Sequence, residues 1–161
     1  MAQASTKKVL ISRFDREPLE GFVQTSDAWT QGSVELLTPA GTLLQVPFAD
    51  IKVVCFVRDF GAGETWRVNR AFQTRPKASG LWLRFCFRDG ESLEGIAPNN
   101  LLQNEPHGFS VTPPDPTFQN QRVFVPREAL SRVEVLGVIG SPLRRVRKPE
   151  PDKRTQLEMF D

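Results

Sequence analysis

The sequence predicts an all-β chain of two small antiparallel barrels in tandem, packed on each other with pseudo-twofold symmetry and followed by a disordered C-terminal tail. Three observations carry this reading: the chain aligns on itself, its apolar residues recur with a period of two, and no stretch shows the periodicity of a long helix. At an offset of 74, Asp15, Glu17, Leu19, Glu20 and Gly21 fall on Asp89, Glu91, Leu93, Glu94 and Gly95, and Thr38-Pro39 falls on Thr112-Pro113. The frame then moves to 79, where Val46-Pro47 meets Val125-Pro126, and Ile51 and Val54 meet Leu130 and Val133. The slip of five places one insertion between Pro114 and Gln121, and insertions settle in surface loops.

Each copy reads as five short strands. Val9, Ile11 and Arg13 alternate with Leu10, Ser12 and Phe14; Leu81, Leu83, Phe85 and Phe87 alternate with Trp82, Arg84, Cys86 and Arg88. Both are patterns of a half-buried strand. Asp89-Gly90 is a hairpin signal, since glycine accepts the positive φ of a tight primed turn. The return strand Ser92–Ile96 contains Gly95, which marks a bend or a close backbone approach. Third strands follow at Ser33–Leu37 and Gly108–Thr112, ended by Pro39 and by Pro113-Pro114. Thr42–Val46 with Ile51–Val57, and Arg122–Val125 with Arg132–Val138, complete the copies around single helical turns near Phe48 and Glu128. The parts are thus a first barrel at 7–58, a basic and aromatic linker at 59–80, a second barrel at 81–139 and a tail at 140–161. A module of about 50 residues buries too little surface to be robust alone, so the copies are expected to share an interface.

Composition narrows the chemistry. The 161 residues include one histidine, His107, and two cysteines, Cys55 and Cys86. This is too little for a histidine or thiolate metal site or a disulfide framework. Neither a membrane span nor a secretory signal is recognisable, which sets a cytoplasmic expectation. No cofactor is expected. Cys55 and Cys86 read as reduced core residues and His107, between Pro106 and Gly108, as a turn residue. Glu20 and Glu94 hold equivalent places and are the sole candidates for paired acids; a solvated strand face accounts for them without catalysis.

Leu83-Arg84-Phe85-Cys86-Phe87-Arg88-Asp89-Gly90, then Gly95, then Asn99-Asn100-Leu101 resembles the first signature of the Sm-like variety of the SH3-like barrel. That resemblance implies two Sm-like folds and places Asn99 and Asn100 where such proteins meet RNA. The second signature departs from the family: Pro126-Arg127 and Pro47-Phe48 stand where Sm proteins carry a basic residue and a glycine. The whole chain also resembles an uncharacterised bacterial family with the same Leu-Glu-Gly repeats, Thr-Pro corners and a Gly-Ser-Pro-Leu-Arg-Arg tail, a similarity that implies no function.

Net charge is +2, unevenly placed. Trp66–Lys77 carries Arg67, Arg70, Arg75 and Lys77 without an acid, for +4, and Arg144–Arg154 also sums to +4, leaving 2 − 4 − 4 = −6 elsewhere. Mildly acidic barrel bodies argue against a broad phosphate-binding surface, so nucleic-acid contact belongs to Arg67, Arg70, Arg75 and Lys77 of the linker and to Arg144, Arg145, Arg147 and Lys148 of the tail. Trp66 and Phe72 mix with those cations in a way that suits base stacking; the plainer reading packs both rings on the barrels.

The stretch Leu143–Thr155 is rich in proline and charge and is expected to be a flexible tether. It ends in Gln156-Leu157-Glu158-Met159-Phe160-Asp161, which resembles the peptide by which bacterial replication and repair proteins dock on the DNA polymerase sliding clamp. The resemblance implies that Leu157, Met159 and Phe160 fill an apolar pocket while the Gln156 amide bonds at its rim. The sequence therefore points to a non-enzymatic adaptor docking on the sliding clamp, monomeric or homodimeric. The alternative is a nucleic-acid or small-ligand binding protein using the linker with Asn99 and Asn100.

Overall fold

A computed structural model describes residues 6–24, 32–103, 105–114 and 120–140. Ten strands follow in order among the described residues: β1 (Thr6–Arg13), β2 (Arg16–Gln24), β3 (Ser33–Leu37), β4 (Leu43–Pro47), β5 (Ile51–Val57), β6 (Gly80–Phe87), β7 (Ser92–Ala97), β8 (Gly108–Val111), β9 (Asn120–Pro126) and β10 (Leu130–Ile139). All pairing is antiparallel, and the helical turns among the described residues are single 3-10 turns, including Phe48–Asp50 and Arg127–Ala129. Gly90 has φ 97°, the conformation its hairpin turn requires. The insertion loop lies largely in 115–119, outside the described residues.

Strand registers recur between the halves. Val9 pairs with Gly21 and Phe56; Leu83 pairs with Gly95 and Val135. These are shifts of 74 and 79, and the bulges near Arg13 and Phe87 fall at matching places. The third strands differ from the ungapped alignment. Phe22 faces Leu37, whereas Ile96 faces Thr112, so Leu37 matches Thr112 at a shift of 75. The Thr-Pro match is therefore one residue out of structural register.

Two separate closed barrels are not what the described residues form. The strands make a seven-stranded sheet, β4-β3-β2-β1-β5-β9-β8, and a three-stranded sheet, β10-β6-β7, which touch through the Ile96–Thr112 bridge. The halves are joined by β5 against β9, with Val54 facing Phe124 and Cys55 facing Val123. A twofold axis would also pair β10 with β4. Among the described residues both of those strands are sheet edges, so the joint runs head to tail and the pseudo-twofold expectation fails.

This joint explains the core. One apolar cluster combines Leu10, Val53 and Cys55 of the first half with Trp66 and with Phe85, Phe87, Leu93 and Val123; the other combines Val9, Ile11, Leu36, Phe48 and Val54 with Phe124 of the second half. β1 and β5 thus bury both faces. Leu10 and Ser12 are buried as well as Val9 and Ile11, so this stretch is not the half-buried strand that its alternation predicts. Cys55 is buried and free, whereas Cys86 is free and only half-buried, a correction to its core assignment.

Candidate functional site

The polar groups of interest gather where the segment between β5 and β6 crosses the two halves. Trp66 is buried, its ring 5.9 Å from that of Phe87, and its indole N–H donates to Ser12 Oγ at 2.9 Å. Phe72 packs edge-on against Trp82 at 6.1 Å. The plainer expectation for these rings therefore describes them. The Arg70 carbonyl accepts from Glu94 N–H at 2.8 Å, which lays the segment along β7.

Lys52 is the residue that sequence reasoning missed. It sits in the apolar run Ile51–Val57 and is buried, with Nζ between the rings of Phe14, Trp66 and Phe87 at 5.5, 5.6 and 5.2 Å. Its ammonium donates to Asp89 Oδ2 at 2.6 Å and also to Glu91. Glu91 accepts from Arg67 Nη1 at 2.7 Å and lies 3.5 Å from Arg70 Nη1. Burial pushes the Glu91 carboxyl up, but the hydrogen bonds from Lys52 and Arg67 outweigh it and hold the group below the ordinary carboxylate value. Asp89 is likewise held low, burial being outweighed by its bond from Lys52. The only available signal was a single lysine interrupting a strand otherwise fit for burial on both faces.

Glu94 is buried, contrary to the solvated face expected for it. The crossing segment covers it and supplies donors: Glu94 Oε1 accepts from the Phe72 amide and the Trp82 indole, each at 3.0 Å, and Oε2 lies 3.7 Å from Arg84. Glu20 accepts from the Gly61 amide at 2.7 Å. Each acid is thus held by its own backbone or indole donors. Burial, aided by the charge of Glu64, pushes the Cys55 thiol far up, which leaves it protonated and unreactive. Among the described residues, no group of three or more His, Cys, Asp and Glu side chains is placed to hold a metal ion.

The remaining sequence-selected residues divide by place. Arg67 and Arg70 join the Glu91 cluster, while Arg75 and Lys77 are exposed. Asn99 and Asn100 are exposed, and Asn100 Oδ1 accepts from the Leu102 amide at 3.0 Å, shaping a turn that presents Leu101 and Leu102 at 78% and 94% exposure. His107 stands in its turn with its ring 5.3 Å from Phe48. Arg144, Arg145, Arg147, Lys148, Gln156, Leu157, Met159 and Phe160 lie outside the described residues. No helix among the described residues is long and apolar enough to cross a membrane.

A family model described as a family of unknown function (DUF6982) matches residues 5–137. No curated protein and no solved structure matches the chain.

Proposed function

Since the chain belongs to that family of unknown function, we propose its role from its own chemistry: a non-enzymatic adaptor whose tail docks on the bacterial DNA polymerase sliding clamp. Its body is read as a duplicated five-strand module of Sm-like strand order. The observation that carries the adaptor reading is where the reactive groups are spent. Lys52, Glu91 and Glu94 are all engaged in bonds that tie the crossing segment to the two halves, whereas the exposed large side chains include apolar Leu101, Leu102 and Val68. Such a body suits contact with macromolecules better than turnover of a small substrate.

Clamp docking rests on Gln156, Leu157, Met159 and Phe160, an apolar cluster at the end of a polar stretch, in the manner of short peptides that dock in apolar grooves. A nucleic-acid role draws less support, because Arg67 and Arg70 share the charge of Glu91. Calorimetry of the full-length protein against a bacterial sliding clamp tests the reading. The expected result is a Kd of about 1 μM that disappears when Gln156, Leu157 and Phe160 are changed to alanine. Absence of binding, or equal binding by that variant, would overturn it.

A further inference from the structure

We propose that the C-terminal stretch docks on the body of its own chain, with the Phe160 ring seated in a cavity between Phe22, Leu37 and Leu43 on the sheet of the first half. The proposal concerns the stretch on which the adaptor reading rests, but it draws on no clamp chemistry and stands or falls separately.

Strand register lays Lys8, Phe22, Leu37 and Leu43 side by side across β1, β2, β3 and β4. Phe60 packs edge-on against Phe22 at 5.3 Å, and Lys8 Nζ lies 5.6 Å from the Phe60 ring. Between Phe22, Leu37 and Leu43 is a cavity of about 110 Å³, with Thr6, Gln24 and Glu35 at its margin. Leu37 and Leu43 are left 39% and 61% exposed. The second half shows that the fold does not require leucine at these places. Val34 faces Val46 as Phe109 faces Val125, so Thr112 and Arg122 are the counterparts of Leu37 and Leu43. The fold thus accepts polar residues at both positions, and the two leucines are particular to the first half. Exposed apolar side chains that line a concavity mark a binding site.

Size and surroundings select the occupant. An apolar cavity of about 150 Å³ holds a benzene ring, so this concavity seats one aromatic side chain. A second folded copy would need about 800 Å² of each partner, and the cavity is bounded by polar groups already bonded to one another: Ser33 Oγ donates to Gln45 Oε1 at 2.8 Å, and Gln45 Nε2 donates to Glu35 Oε2 at 3.1 Å. A single anchor on a linear segment is what fits. The 21 residues after Gly140 include Leu157, Met159 and Phe160. As the tether that its sequence predicts, the stretch from Gly140 to Phe160 spans roughly 25 Å as a coil, against a radius of gyration of about 14 Å for a body of this size. Phe160 therefore reaches the cavity wherever Gly140 lies on the surface. A tether of this kind holds its anchor at an effective concentration on the order of 1 mM, which offsets the weak affinity of one ring. The charges are complementary: Asp161 stands beside the ring to meet Lys8, and Lys153 and Arg154 precede it to meet Glu35. Docked in this way, Leu157, Met159 and Phe160 are withheld from a partner, which must displace the body before it can bind them.

Nuclear Overhauser measurements on the full chain with labelled leucine methyl groups, in the absence of any clamp, test this. The expected result is contact between the Phe160 ring and the methyl groups of Leu37 and Leu43, whose shifts stay constant on dilution as an intramolecular contact requires. Phe160→Ala alters no residue of the body, so it cannot unfold it; it should abolish these contacts and move the Leu37 and Leu43 methyl shifts while leaving those of the buried leucines in place. Leu43→Lys alters an exposed position and should abolish the contact with Leu37 as well, with circular dichroism unchanged. Absence of contact with Leu37 and Leu43, methyl shifts indifferent to Phe160→Ala, contact with Leu37 undiminished in Leu43→Lys, or contacts that vanish on dilution, which would give the cavity to a second copy, would each overturn the proposal. None of these outcomes bears on clamp docking, which the calorimetry decides.

Discussion

Lys52 and Asp89, 37 residues apart in sequence, meet at 2.6 Å with the lysine buried and the aspartate only partly so. The pair ties β5 to the turn after β6, and the same ammonium donates to Glu91. A buried cation is costly to leave unpaired, whereas a well-packed apolar replacement is often neutral. Lys52→Met, flanked by three aromatic rings, should therefore shift stability by less than about 1.5 kcal/mol. The double variant Asp89→Asn, Glu91→Gln keeps the ammonium and removes its counter-charges, and should cost about 3–5 kcal/mol. Urea unfolding of both variants checks the order; equal losses would show that the acids matter for turn geometry alone.

The same cluster sets a pH dependence. Asp89 and Glu91 both have carboxyl groups held below their ordinary values in the folded chain. A depressed folded value means that the unfolded chain binds protons first as pH falls. The contribution is complete above the ordinary carboxylate range near about 4 and is lost as pH drops through the folded values. Melting temperature should thus fall steeply below about pH 4 and less steeply in Asp89→Asn, Glu91→Gln. Glu134, lowered by its bonds from Arg132 and Arg84, keeps some slope in that variant.

Gly21 and Gly95 occupy matching places but differ in what a methyl group would strike. A Cβ on Gly21 would lie 2.5 Å from the Leu37 carbonyl oxygen, on backbone; on Gly95 it would lie 2.6 Å from Val111 Cγ2, a side chain. Overpacking costs typically about 1–3 kcal/mol, and a side chain yields more readily than a strand. Gly21→Ala should fall at the upper end of that range and Gly95→Ala at the lower, read as the shift in thermal midpoint.

Much of this architecture is legible in the sequence, for a physical reason: strand, turn and bulge are local, and both copies repeat them. The alternation from Leu81 to Arg88 and the Asp89-Gly90 turn mark β6 and its hairpin, and Ser33–Leu37 is β3 to the residue. What stayed hidden depends on the other half. Ser12 reads as an outward polar residue, yet Trp66, 54 positions away, covers it and donates to it. Lys52 reads as a surface lysine for the same reason, since its three rings and two acids come from outside its own strand. The choice of β9 instead of β4 as the partner of β5 is a property of how the two copies meet, and neither copy records it alone.

Glu94 offers the most direct test of how the crossing segment is held. Its Oε1 is the shared acceptor of the Phe72 amide and the Trp82 indole, and the Phe72 ring packs on Trp82. Glu94→Gln retains an oxygen for both donors and loses only the longer contact with Arg84 at 3.7 Å, so a loss under about 1 kcal/mol is expected. Glu94→Ala leaves donors at a buried site without an acceptor, at about 1–3 kcal/mol, and should release the segment. Limited proteolysis should then cut between β5 and β6 faster in Glu94→Ala than in Glu94→Gln, with a change in tryptophan emission confined to the alanine variant. Equal protease resistance in both would show that Trp66, anchored on Ser12 and Phe87, holds the segment unaided.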